Sequence, residues 1–132
     1  MKTTMEKLNS CYEAFRKITD FEPEIAVILG SGLGANADVM DIVTTVEYSS
    51  LPDFPISTVP GHKGRFVLGY INKIPVIMMQ GRVHYYEGYS ISDVVLPTRL
   101  MTMLGAKVLF LTNSAGGINP NFSAGDFMII ND

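Results

Sequence analysis

Residues 78–89, Met-Met-Gln-Gly-Arg-Val-His-Tyr-Tyr-Glu-Gly-Tyr, place a permanent cation, an imidazole, phenol rings and a carboxylate just past an apolar run. Arg82 and His84 are two residues apart, so an extended backbone turns both side chains the same way. A guanidinium forks onto phosphate or carboxylate oxygens, and an imidazole beside it adds a further hydrogen bond. The pair reads as one wall of an anion site. The alternative is a solvated strand end with packing tyrosines. Position favours the site, because ligands of α/β sheets bind where strands end.

Three further segments carry donors or small residues. Gly30-Ser31-Gly32-Leu33-Gly34 follows an apolar run. Its glycines let backbone N–H groups approach an anion, and Ser31 adds a hydroxyl. The spacing is neither G-x-G-x-x-G nor a loop ending in Lys, and a tight strand-to-helix turn would use the same residues. In Ser-Thr-Val-Pro-Gly-His-Lys-Gly-Arg at 57–65, His62 sits in a glycine-flanked stretch of a long loop. Long loops are often functional, but taken alone this segment reads better as an exposed turn whose His caps a strand. Thr112-Asn113-Ser114-Ala115-Gly116-Gly117 again follows an apolar run. The Ser114 N–H and hydroxyl are natural donors there; the alternative is a turn with Asn113 left-handed. The agreement of the four segments counts for more than any one of them.

The elements that must position these residues follow from periodicity. Residues 3–19 predict an amphipathic helix, with Met5, Leu8, Cys11, Phe15 and Ile18 at helical spacing. Residues 24–29 predict a buried strand, 42–48 an alternating one, and 51–63 a long Pro- and Gly-rich loop. Runs 65–71 and 74–80 flank Asn72-Lys73, a hairpin pattern. Residues 90–104 predict a helix opened by a Ser90–Asp93 capping box and closed by Gly105, either kinked at Pro97 or starting afresh there. Runs 108–112 and 127–130 predict two more strands. Strands interleaved with helices, one hairpin among them, give an α/β class with a mixed, twisted sheet and flanking helices.

Composition bounds the function. The 132 residues are 47% hydrophobic and 17% charged with net charge -3, which fits one globular domain. No basic stripe points to nucleic acid, and no apolar run reaches membrane-span length. The single cysteine, Cys11, excludes an intrachain disulfide and a Cys-based zinc site and fits a reducing compartment. No signal peptide pattern opens the chain, so a cytoplasmic location is expected. No metal-ligand cluster stands out. The stop at Asp132, directly after an apolar run, reads as a chain that is part of a longer protein.

Taken together, Gly-Ser-Gly-Leu-Gly at 30–34, Ser-Thr-Val-Pro-Gly-His at 57–62, Met-Gln-Gly-Arg-Val-His-Tyr-Tyr-Glu-Gly-Tyr at 79–89 and Thr-Asn-Ser-Ala-Gly-Gly-Ile-Asn-Pro at 112–120 resemble purine nucleoside phosphorylase of the trimeric type. Order and spacing agree, from the first strand to Asp132. The resemblance implies a phosphorylase/hydrolase-like α/β fold, incomplete at the C-terminus, with residues 1–132 the N-terminal part of a single domain. It implies a homotrimer that cleaves purine ribonucleosides with phosphate, giving free base and ribose 1-phosphate, in purine salvage. Ser31, His62, Arg82 and His84 would be phosphate ligands, with Arg82 and His84 the catalytic pair. The backbone N–H of Ser114 would be another ligand, at a position more often Ala in the family. Tyr86 would lie against the ribose. No cofactor or metal is implied; inorganic phosphate is the co-substrate. The family's purine-binding Glu and Asn, a further phosphate-binding Ser and a ribose-side His lie in a second half and are not in this sequence, so turnover by these residues alone should be severely impaired.

Three other readings compete. A methylthioadenosine phosphorylase-like relative is one, although the residues at 113–117 and the Arg82–His84 spacing look more like the general purine enzyme. A truncated, non-catalytic phosphate-binding or assembly module is the second. A nucleotide-binding domain built on the glycine loop is the third, and the glycine spacing counts against it.

Overall fold

The first helix, α1 (Thr4–Ile18), forms as its spacing predicts. Thr3 closes a capping box with Glu6, which satisfies two of the N–H groups that open the helix. Leu8, Cys11 and Phe15 are buried, whereas Met5 and Ile18, in the end turns, are exposed. We describe residues 2–58 and 63–131 of a computed structural model.

Five strands follow: β1 (Ile25–Ile28), β2 (Asp41–Glu47), β3 (Arg65–Ile71), β4 (Ile74–Gln80) and β5 (Val108–Leu111). They form one mixed sheet in the order β2-β3-β4-β1-β5. The β2–β3 and β3–β4 pairs are antiparallel, and β1 runs parallel to both β4 and β5. The β3–β4 hairpin turns at Asn72 and Lys73, both at positive φ (48° and 68°), the paired left-handed geometry that a two-residue hairpin requires.

The helix α2 (Ile91–Met103) packs beside α1. Ser90 caps it: its hydroxyl accepts the Asp93 N–H at 3.2 Å and donates to the Asp93 carboxylate at 2.7 Å. Pro97 lies buried inside the helix, so the fresh start at Pro97 does not occur. Gly105, at φ 124°, ends it as predicted.

Alternation across the sheet builds two cores. Phe66, Leu68, Ile77 and Met79 face α1 and α2, while Val67, Val76 and Met78 face a short 3-10 turn (Gly34–Val39) that contributes Ala37. That turn begins at Gly34, the last glycine of the loop after β1.

One sequence expectation fails at the C-terminal side. Residues 127–130 form no strand, and Phe127, Met128, Ile129 and Ile130 are all exposed. No described strand lies beside them, and an apolar run without a ladder partner cannot satisfy its backbone as a strand. β5 does form, yet all four of its residues are exposed. It is an edge strand paired only with β1, and no described element covers either of its faces.

Candidate functional site

The sheet topology brings the chemistry together. β4, β1 and β5 are adjacent and parallel, with Ile28 in register with both Met79 and Leu111. Their following loops therefore emerge at one edge of the sheet: 81–84 after β4, 29–34 after β1 and 112–117 after β5. β3 runs the other way, and Arg65 at its start pairs with Gln80 at the end of β4. The loop that precedes β3 thus reaches the same edge. Three segments separated in sequence, with residues 63–64 just before β3, converge by strand direction alone.

Arg82 and His84 do not lie on the strand itself. β4 ends at Gln80, and Gly81 at φ 101° turns the chain away, a conformation that L side chains rarely adopt. Both side chains nonetheless line one cavity of about 270 Å³, whose other walls include Ile28, Met79, Val94 and Pro97. The cavity thus has a cationic wall against an apolar one from α2. Among the described residues no carboxylate forms an ion pair with Arg82. The ring of His84 stacks on that of Tyr86, centroids 4.8 Å apart and planes 9° from parallel. Tyr86 is otherwise 78% exposed, so its phenol borders the site from outside.

A boxed 3-10 turn (Tyr85–Glu87) fixes the imidazole. The His84 side chain accepts the Glu87 N–H, and the Glu87 carboxylate accepts the His84 N–H at 2.7 Å. With one ring nitrogen accepting, the other carries the proton in a neutral imidazole. Glu87 also accepts from the Ser57 hydroxyl at 3.0 Å and the Thr58 N–H at 3.1 Å. Burial raises its pKa, but the His84 and Thr58 N–H groups and the Ser57 hydroxyl outweigh burial and hold it below the usual carboxylate range. Glu87 is therefore an anionic buckle between the Arg82–His84 segment and the 57–58 end of the long loop.

Gln80 is a second tie. Almost fully buried, it donates its amide to the Gly34 carbonyl and accepts from the Arg65 Nε at 2.8 Å. Tyr48, buried under the sheet edge, donates its hydroxyl to the Gly81 carbonyl at 2.6 Å.

Ser31 and Ser114 stand outside the cavity, exposed in the turns after β1 and β5. These two turns are in contact. A Cβ added to Gly30 would meet the Thr112 carbonyl oxygen at 2.7 Å and the Asn113 Cα at 2.8 Å. Gly30 is needed there for space, not for φ. Asn113 is not left-handed: the described non-glycine residues at positive φ are Asp53, Asn72 and Lys73. The structure thus joins Arg82 with His84 and the Ser31 turn with the Ser114 turn, both at one sheet edge. His62 lies outside the described residues.

The sequence profile of the phosphorylase superfamily matches residues 24–132. The chain belongs to this superfamily. Among its relatives, purine nucleoside phosphorylase 1 of Bacillus subtilis is 52% identical over 110 residues, covering 83% of this chain and 41% of that protein. A crystal structure of purine nucleoside phosphorylase in complex with ribose-1-phosphate superposes with a TM-score of 0.86 at 42% identity, over 96% of this chain and 47% of that one. The Schistosoma mansoni enzyme in complex with inosine gives 0.84 at 40% identity, over 95% and 44%. The chain therefore spans about two-fifths of the length of the Bacillus relative and under half of each of these structures. The mixed sheet with flanking helices is the superfamily's fold.

Among the described residues no group of three or more His, Cys, Asp and Glu side chains could hold a metal, and no helix is long and apolar enough to cross a membrane. Sequence reasoning assigned no role to Glu87, Gln80, Tyr48 or Thr112, which hold the superfamily's segments in place here. Gln80 carried a signal, being a lone amide at the end of an apolar run. The partners of Glu87 lie some 30 residues away and gave none.

Proposed function

We propose that this chain is the phosphate-holding part of a purine nucleoside phosphorylase. In this reading residues 1–132 belong to one phosphorylase domain. Phosphate attacks C1′ of a purine ribonucleoside, the bond to the base breaks, and ribose 1-phosphate and the protonated base leave. Arg82 supplies the permanent fork, Ser31, His62 and His84 supply directional donors, and the Ser114 N–H supplies another; Tyr86 lies toward the ribose. Such donors lower the barrier by holding the nucleophile in line beneath a developing oxocarbenium ion. The protein needs no cofactor besides phosphate as co-substrate, works as a cytoplasmic homotrimer and serves purine salvage.

One observation carries the reading: Arg82 and His84 line a single cavity at the sheet edge where the Ser31 and Ser114 turns also emerge. The relatives' names and the ribose-1-phosphate and inosine complexes support the choice of substrate.

Titration of this chain with inorganic phosphate tests the site. Arg82→Ala should weaken binding about tenfold or more, since hydrogen bonds to charged groups are the stronger class. Unchanged affinity removes Arg82 from the site. The protein carrying this chain should release base from inosine only when phosphate is present. Release without phosphate would make it a hydrolase, and phosphate binding without any turnover would make it a binding module.

A further inference from the structure

We infer that Thr112 is a positioning residue that sets the spacing between the Ser31 turn and the Ser114 turn. The inference rests on the phosphate-site reading above and adds to it a residue that touches no substrate.

β1 and β5 leave their shared ladder at Ile28 and Leu111. Beyond that point two strands would normally splay. Here Thr112 extends the pairing. Its N–H donates to the Ile28 carbonyl at 3.1 Å. Its hydroxyl donates to the same carbonyl at 2.9 Å and accepts the Gly30 N–H at 2.8 Å. One hydroxyl thus works as donor and acceptor at once, which a hydroxyl can do and an isosteric methyl cannot. The missing side chain of Gly30 lets the Thr112 and Asn113 backbone close onto it.

The consequence falls on the two serines. Ser31 is the next residue after Gly30, and Ser114 is two residues after Thr112. Ser31 and Ser114 are both exposed; Leu33, packed on the core, and the Gln80–Gly34 hydrogen bond hold the far end of the first turn, which leaves Thr112 as the side chain that ties its Gly30 end to the second. Without the hydroxyl, the Gly30 N–H loses its partner and the two turns are tied only through backbone contact. A site that must present donors from both turns to one small anion loses affinity when its support slackens by a fraction of an ångström.

The experiment compares Thr112→Val, which keeps the shape, with Thr112→Ser, which keeps the hydroxyl. Two quantities are measured: the affinity for inorganic phosphate and the hydrogen-exchange protection of the Gly30 amide. Thr112→Val should weaken phosphate by about tenfold, comparable to one or two lost hydrogen bonds, and should deprotect Gly30. Thr112→Ser should stay within about twofold of wild type in both. Thr102→Val, which removes an exposed hydroxyl bonded within α2, serves as a control and should change neither. Equal phosphate loss in the serine and valine variants overturns the inference, as does a valine variant that keeps both wild-type affinity and Gly30 protection. Should the valine variant fail to fold, the serine variant decides, because a tenfold loss there excludes the hydroxyl as the tie. A wild-type chain that binds no phosphate sinks the phosphate reading instead. Gly30 protection in the variants then still reports separately on whether the clamp exists.

Discussion

Glu87 carries a single negative charge shared among donors from His84, Ser57 and Thr58. Its folded pKa lies below that of an unfolded glutamate, about 4.3. The linkage sign follows. The buckle contributes its full stabilisation above the unfolded value and loses it as pH falls through the lower folded value. The Thr58 amide should therefore stay protected at pH 6 and lose protection on acidification below about pH 4. Glu87→Gln should abolish that acid limb, and an unchanged pH profile in the variant would show that another group holds the loop. Cys11 behaves in the opposite direction: burial first, and then Asp53, push its thiol up to about 11. With its Sγ donating to the Pro52 carbonyl at 3.1 Å, it is a core residue and not a nucleophile. At this scale the residue types that could bind an anion were legible in Arg82, His84 and Ser31. The residues that aim them were not, because Glu87 and Thr112 act through partners about 30 and more than 80 positions away.

At the scale of elements, α2 does two jobs. It packs Leu96, Leu100 and Met101 into the core and offers Val94 and Pro97 to the cavity beside Arg82. Its cap was readable from Ser90 and Asp93 alone, because capping is a local contact three residues long. Ser90→Ala should cost about 1 kcal/mol, seen as a lower urea midpoint with an unchanged slope. No change in midpoint would mean that the Lys7–Asp93 ion pair, 2.8 Å long, holds the helix start by itself. The hairpin was equally legible, since two apolar runs around a two-residue turn admit one register. The runs at 108–111 and 127–130 looked alike in sequence, but their fates differ. The first found β1 beside it and the second found no described strand. Apolar character alone does not make a strand; a ladder partner does.

Across the whole molecule, the aromatic centre joins the elements. Phe66, fully buried, meets the rings of Phe15, Tyr48 and Phe54 at centroid separations of 5.9, 4.9 and 5.6 Å. It thereby couples α1, the sheet and the start of the long loop. Phe66→Ala should destabilise the fold by about 3–5 kcal/mol in chemical denaturation. A loss below about 1 kcal/mol would mean that the cavity collapses easily and that the centre is loosely packed. Tyr48 extends the coupling to the site, because the same ring that packs on Phe66 hydrogen-bonds the carbonyl of Gly81. By itself the sequence determined the helices, the five strands with their hairpin, and the cation, imidazole and serine that could receive an anion. Those features depend on spacing, capping and side-chain chemistry, all local to the chain. Only the tertiary structure decided that β1 lies between β4 and β5, that their loops share one edge, and that Gly30 meets Thr112. Strand order is set by burial summed over the whole sheet, and a contact across more than 80 residues leaves no local trace.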